Sequence, residues 1–151
     1  MSVIGWLLDA DAAIRWQVLG DLTDAPAGGS AQVRTARRSG EEYLLERGLF
    51  RRKSTGAVVQ PAYLEFAFPY YWHYDVLRAL DYFRRSGADP DPRMAEAVAV
   101  VQSKRQPDGR WLLPRSHPGR VHFELEGGVG TPSRWNTLRA LRVLNWWDGT
   151  A

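Results

Sequence analysis

The chain has 151 residues, 44% hydrophobic and 25% charged, with a formal charge of +3 and no cysteine. That size supports a core without staples, and the absent cysteines exclude disulfide frameworks, thiol nucleophiles and Cys-ligated zinc or iron–sulfur sites. No run approaches the roughly 20 apolar residues of a membrane span, and Val3–Leu8 lacks the basic flank of a secretory signal, so the expectation is a cytoplasmic protein.

In chain order, Asp9 or Asp11 caps a helix carrying Ile14, Val18, Leu19 and Leu22, which Pro26 and the linker Ala27-Gly28-Gly29-Ser30 end. Ser39 with Glu42 has the spacing of a capping box and opens a short helix that stops at Gly48. Residues 49–62 read as a loop or small hairpin around Thr55-Gly56. From Tyr71 to Arg85 the residues His73, Val76, Leu77, Leu80 and Phe83 share one helical face, with Gly87 as the C-terminal cap.

Pro90 and Pro92 start a further helix with Met94, Val98 and Val101 inward, closed by the turn Gln106-Pro107-Asp108-Gly109. Residues 112–132 are irregular, with a short strand expected at Val121-His122-Phe123-Glu124. Thr131-Pro132-Ser133 starts the last helix, carrying Leu138, Leu141, Leu144 and Trp147. The class is all-α, read as a single domain over 1–151: N-terminal helices in 1–26, a short linker and helix in 27–42 and two helical repeats in 43–149.

Three helix starts overlay: Arg15-Trp16-Gln17-Val18-Leu19, His73-Tyr74-Asp75-Val76-Leu77 and Arg134-Trp135-Asn136-Thr137-Leu138, at offsets of 58 and 61 residues. The last two copies continue into an identical Leu-Arg-Ala-Leu. A period near 60 accommodates a helical hairpin with its loops, so stacked α-hairpins are expected.

Within that repeat, Gln106-Pro107-Asp108-Gly109-Arg110-Trp111 resembles the Gln-x-x-Gly-x-Trp core of the QW motif of squalene-hopene cyclases and related terpenoid cyclases and prenyltransferases. The stretches Val3–Pro26 and Tyr43–Trp147 are similar to the two ends of bacterial squalene-cyclase-like proteins, longer chains with further hairpins where this one has Ala27–Glu42. The resemblance implies an α/α toroid, here a partial one, in which such turns tie an outer helix to the next inner one. It transfers no catalytic residue. Asp9-Ala10-Asp11-Ala12 and Asp89-Pro90-Asp91-Pro92 lack the second adjacent Asp of the Asp-x-Asp-Asp acid, and Val101-Gln102 stands where the full motif has an aromatic-Leu pair.

The expected site lies at the starts of the repeat helices. In parallel register, Arg15, His73 and Arg134 meet at one end, with Trp16, Tyr74 and Trp135 as an apolar wall and Asn136 beside them. Three helix N-termini there form a pocket for an anion or polar head. His122 and Glu124 share one face of the expected strand and join the ligand-binding set. Their spacing fits no zinc motif, and neither metal nor other cofactor is expected.

Seven Trp, six Tyr and five Phe favour an apolar or aromatic small molecule as ligand, in a cavity lined by those rings. A cyclase or isomerase using His73 and Asp75 as acid and base is the alternative. Residues 76–151 carry twelve basic against eight acidic side chains, which makes a helical-repeat protein- or nucleic-acid-binding module the further alternative, although the basic runs are short and nucleic acid is not the expected partner. Too few hairpins to close a ring leave an apolar edge, and a homodimer is expected to cover it.

Overall fold

The computed structural model describes residues 31–119 and 123–149. The helix expected around Ile14–Leu22, the first repeat copy with Arg15 and Trp16, and His122 lie outside the described residues. The chain divides into two compact units, Met1–Leu44 and Leu45–Ala151.

Helix α1 spans Ala31–Leu45, where a linker and a short helix starting at Ser39 were expected. Ser39 and Gly40 lie inside it, so Ser39 is not an N-cap, which requires non-helical backbone. The Arg37 Nε to Glu41 Oε1 bond at 2.7 Å staples successive turns across Gly40, whose helical cost is about 1 kcal/mol. The expected stop at Gly48 holds: its N–H donates to Leu45 O at 3.0 Å.

In the second unit, Arg51 and Val58 bridge antiparallel, with Arg52 N–H on Ala57 O, making the small hairpin expected in 49–62. Arg51 forks onto the Glu96 carboxylate, Nε to Oε2 at 2.7 Å and Nη2 to Oε1. A 3₁₀ turn at Pro61–Leu64 follows, then buried Phe66 and Ala67 and a cis Phe68–Pro69 bond.

Helix α2 is Val76–Arg85, five residues shorter at its start than the pattern of apolar residues suggests. Tyr71 has φ +45 and Asp75 is extended, its carboxylate accepting the Arg78 N–H at 2.7 Å. This cap fixes the helix start where spacing alone cannot. Val76, Leu77, Leu80 and Phe83 are buried as expected. Gly87, at φ +73, ends the helix with its N–H on Arg84 O while Ala88 N–H reaches Phe83 O.

Asp91 caps the 3₁₀ turn Pro92–Met94, which leads into α3, Ala95–Ser103; Met94, Val98 and Val101 are buried. The turn Gln106–Gly109 closes with Gly109 N–H on Gln106 O and Gln106 N–H on Arg110 O, both 2.8 Å. Gly109 at φ +81 supplies the left-handed position that a hairpin of this length needs. It delivers β1, Trp111–Leu112, which pairs antiparallel with β2, Pro132–Ser133, Trp111 opposite Ser133. Of the strand expected at 121–124, residues 123 and 124 are irregular and 121 and 122 lie outside the described residues.

Helix α4, Arg134–Trp147, starts after Ser133, whose hydroxyl accepts the Asn136 N–H at 2.9 Å. Its inward face corrects the expectation. Asn136, Arg139, Ala140, Val143 and Leu144 are buried, whereas Leu138 and Leu141 are 39% and 38% exposed. The buried line of i, i+3, i+4 and i+7 positions includes two polar residues with partners in the core, so an apolar-only count rotates the helix wrongly.

Helix α2 packs against both α3 and α4. Asp75 faces Arg139 near one end of the α2–α4 pair, and Trp146 Nε1–H donates to Ala88 O at 3.0 Å near the other. Both helices therefore run in the same direction. No described helix is long and apolar enough to cross a membrane.

Candidate functional site

The parallel pairing of α2 and α4 brings the second and third repeat copies together as the overlay predicts. What gathers at their N-terminal ends is a polar cluster roofed by rings. Arg78 and Arg139, the arginines of the two Leu-Arg-Ala-Leu copies, each place the guanidinium carbon 4.7 Å from the ring centre of Tyr70. Arg78 Nη1 donates to Tyr71 O at 3.0 Å and His73 O at 2.7 Å, tying the irregular segment before α2 to the helix itself.

Asp75 and Arg139 are 2% and 6% exposed and lie 3.8 Å apart at Oδ1 and Nη2. Burial raises the Asp75 carboxyl above its ordinary value, although Arg139, the Arg78 and Leu77 N–H groups and the Arg78 charge pull it down. Burial likewise lowers Arg139, against the pull of Asp75. Desolvation thus outweighs attraction on both partners. Arg139 Nη1 donates to Asn136 Oδ1 at 3.3 Å, while its Nε and Nη2 make no hydrogen bond. Asn136 is fully buried, with Nδ2 donating to Phe66 O at 2.5 Å and Leu112 O at 3.3 Å. It ties three segments of the fold and presents no amide to solvent.

The acid–base pair expected of His73 and Asp75 is not formed. The Asp75 carboxylate turns inward to the α2 N–H groups and Arg139, whereas the His73 ring stacks on His117 at 3.6 Å and on Trp72 at 5.1 Å. Capping consumes the carboxylate because the first turn of α2 has no other partner. Tyr74 is a packing residue: its hydroxyl donates to Leu49 O, its ring meets Tyr63 edge-on at 4.7 Å, and burial raises its pKa. Trp135 is 42% exposed and stacks on Phe68 at 5.0 Å.

Of the helix N-termini expected to receive an anion, the two among the described residues are occupied from within, that of α2 by Asp75. At α4, Glu126 accepts Ser133 Oγ–H at 2.5 Å, Trp135 N–H at 3.1 Å and Arg134 N–H at 3.3 Å, a carboxylate at the positive end of the helix. Glu126→Ala is expected to cost about 1 kcal/mol, read by urea unfolding.

Arg134 and Glu124, both in the expected set, line an open groove of about 780 Å³ on the flank of α4, together with Arg110. Its apolar wall comprises Leu125, Leu138 and Leu141, all exposed. The expected residues therefore divide into a buried cluster (Asp75, Asn136), side chains packed on other rings (His73, Tyr74, Trp135) and the groove (Glu124, Arg134). Among the described residues, no group of three His, Asp or Glu side chains is placed to hold a metal ion.

Sequence reasoning missed the roles of Tyr70, Arg139, Glu126 and the outward leucines, and offers Arg78 only as a partner for Asp75 one turn on. For the arginines the signal was present, since both occupy the same position of an identical tetrapeptide. Glu126 carries no comparable mark, because it reaches back to a helix cap seven positions later in the chain. Comparison with protein-family models, curated proteins and solved structures finds no match to this chain.

Proposed function

We propose that this chain is a partial α/α toroid that binds an apolar small molecule without transforming it, in the groove along α4. The observation that carries this reading is the outward placement of Leu138 and Leu141 on the wall of that groove, with Leu125 from the facing loop. Apolar side chains gathered in a concavity with a few polar groups are the general form of a small-molecule site. Arg110 and Arg134 provide cationic groups for a polar end of the ligand, and Glu124 an anionic one.

The toroid assignment draws support from the parallel α2 and α4 and from the turn between α3 and α4. There Trp111 donates Nε1–H to Val101 O at 2.8 Å and its backbone N–H to Thr137 Oγ1 at 3.0 Å, binding the end of one helix to the start of the next. Covering of the remaining apolar edge by a second copy belongs to the same reading, and a native mass spectrum reads it as a dimer. An acid–base enzyme finds less support, given that Asp75 is turned away from His73.

The test is titration with 1-anilinonaphthalene-8-sulfonate, an apolar anion that fluoresces on burial. Leu138→Asp and Leu141→Asp are each expected to weaken its binding about tenfold, the equivalent of roughly 1.4 kcal/mol. The urea midpoint should move little, since both side chains are already exposed. Unchanged dye binding in both variants would overturn the proposal.

A further inference from the structure

We infer that the His73–His117 stack is an acid-sensitive clasp, holding the segment 114–119 against the start of α2 at neutral pH and releasing it below about pH 6. The inference is independent of the groove. Its basis is the arrangement of the two rings: part-buried, 3.6 Å between centres and 11° from parallel. Neutral imidazoles stack well at that distance, whereas two imidazolium rings repel.

Few other ties oppose release. Among the described residues, the polar and ring contacts holding 114–119 are this stack and one ion pair, Arg115 Nη1 to Glu65 Oε2 at 3.5 Å between exposed side chains. Pro114 and Pro118 bracket the segment, and no regular structure runs through it.

The charges around the rings favour release on protonation. From α2, the Arg78 guanidinium reaches the His73 carbonyl at 2.7 Å; from the segment itself comes Arg115; from α4, Arg139 lies beyond Asp75. The nearby carboxylates are already engaged, Asp75 by the α2 N–H groups and Arg139, Glu65 by Arg115. Among the described residues, no carboxylate bonds to either ring.

Burial, then His73, then Arg115 hold His117 below the ordinary imidazole value. A base lowered in the closed state contributes its full stabilisation above its ordinary value of about 6.5 and loses it as pH falls through that value towards the lowered one.

The test is an NMR titration of the full chain from about pH 7.5 to about pH 5, reading the imidazole ring protons. The cross-ring nuclear Overhauser effect between His73 and His117 is expected at the upper end and should vanish at the lower, with helical circular dichroism unchanged. Over the same range, tryptic cleavage after Arg115, normalised to a peptide of the same sequence, should rise about tenfold or more as the open population grows. His117→Phe, which stacks without charge, should show no such rise. A cross-ring effect that persists at the lower pH would overturn the inference, as would an equal rise in cleavage, or a shared global unfolding, in His117→Phe.

Discussion

Trp111→Ala is expected to lower the stability of the second unit by about 3–5 kcal/mol, the largest loss of any single substitution considered. Trp111 is fully buried, and its indole N–H closes the end of α3 through Val101 O while its backbone N–H holds Thr137 of α4. Truncation removes a large apolar side chain, opens a cavity and leaves the Val101 carbonyl with only the longer bond from the Lys104 N–H at 3.3 Å. Trp111→Phe retains much of the volume and should lose only about 1–2 kcal/mol, most of it the hydrogen bond. Urea unfolding followed by circular dichroism measures both. Equal losses in the two variants would show that the hydrogen bond, and not the ring volume, dominates this position.

Replacing both members of the buried ion pair, Asp75→Asn with Arg139→Met, should leave the protein as stable as before or raise its stability, by up to about 4 kcal/mol. The reason is that burial opposes the charge on both partners more strongly than a 3.8 Å pair attracts them. Asn at position 75 still accepts the Arg78 N–H, so the cap of α2 is kept, while Arg139→Met gives up the long bond to Asn136 Oδ1 and the contact with Tyr70 together with the charge.

The sign of the pH dependence is fixed by the same shift. A carboxyl raised in the folded state favours the fold below its unfolded value of about 3.9 and loses that contribution as pH rises through the raised value. The double variant should therefore lead the native protein by most at neutral pH, with the gap narrowing towards acid. A double variant less stable by more than about 1 kcal/mol at neutral pH would show instead that the pair and its contact with Tyr70 hold α2 to α4.

Local chemistry is what the sequence conveys well. Gly87, Asp91, the Gln106–Gly109 turn and Ser133 each stop or start an element where their own conformational preference dictates. The repeat of His73–Leu80 in Arg134–Leu141 is also legible, and α2 and α4 lie side by side and parallel, although Leu77 and Leu80 are buried where the matching Leu138 and Leu141 are exposed. Where several weak signals compete, sequence misleads: Ser39 and Glu42 have the spacing of a cap yet sit inside α1, because Arg37 and Glu41 extend the helix through them.

The candidate site is decided by tertiary structure, and burial is the reason. Whether Asp75 is an acid or a cap depends on whether His73 faces it, and His73 faces His117 instead, 44 positions away in sequence. Whether Leu138 and Leu141 are core or groove depends on Asn136 and Arg139 finding partners inside, which turns α4 and leaves the leucines on its flank. Sequence by itself determined that helices lie near α2, α3 and α4, with Gly87 and Ser133 at their ends and the His73–Leu80 pattern repeated in Arg134–Leu141, because these follow from backbone preference and periodicity over a few residues. Only the tertiary structure decided which polar residues are buried, since the cost of burying a polar group is set by partners that the chain brings from far away.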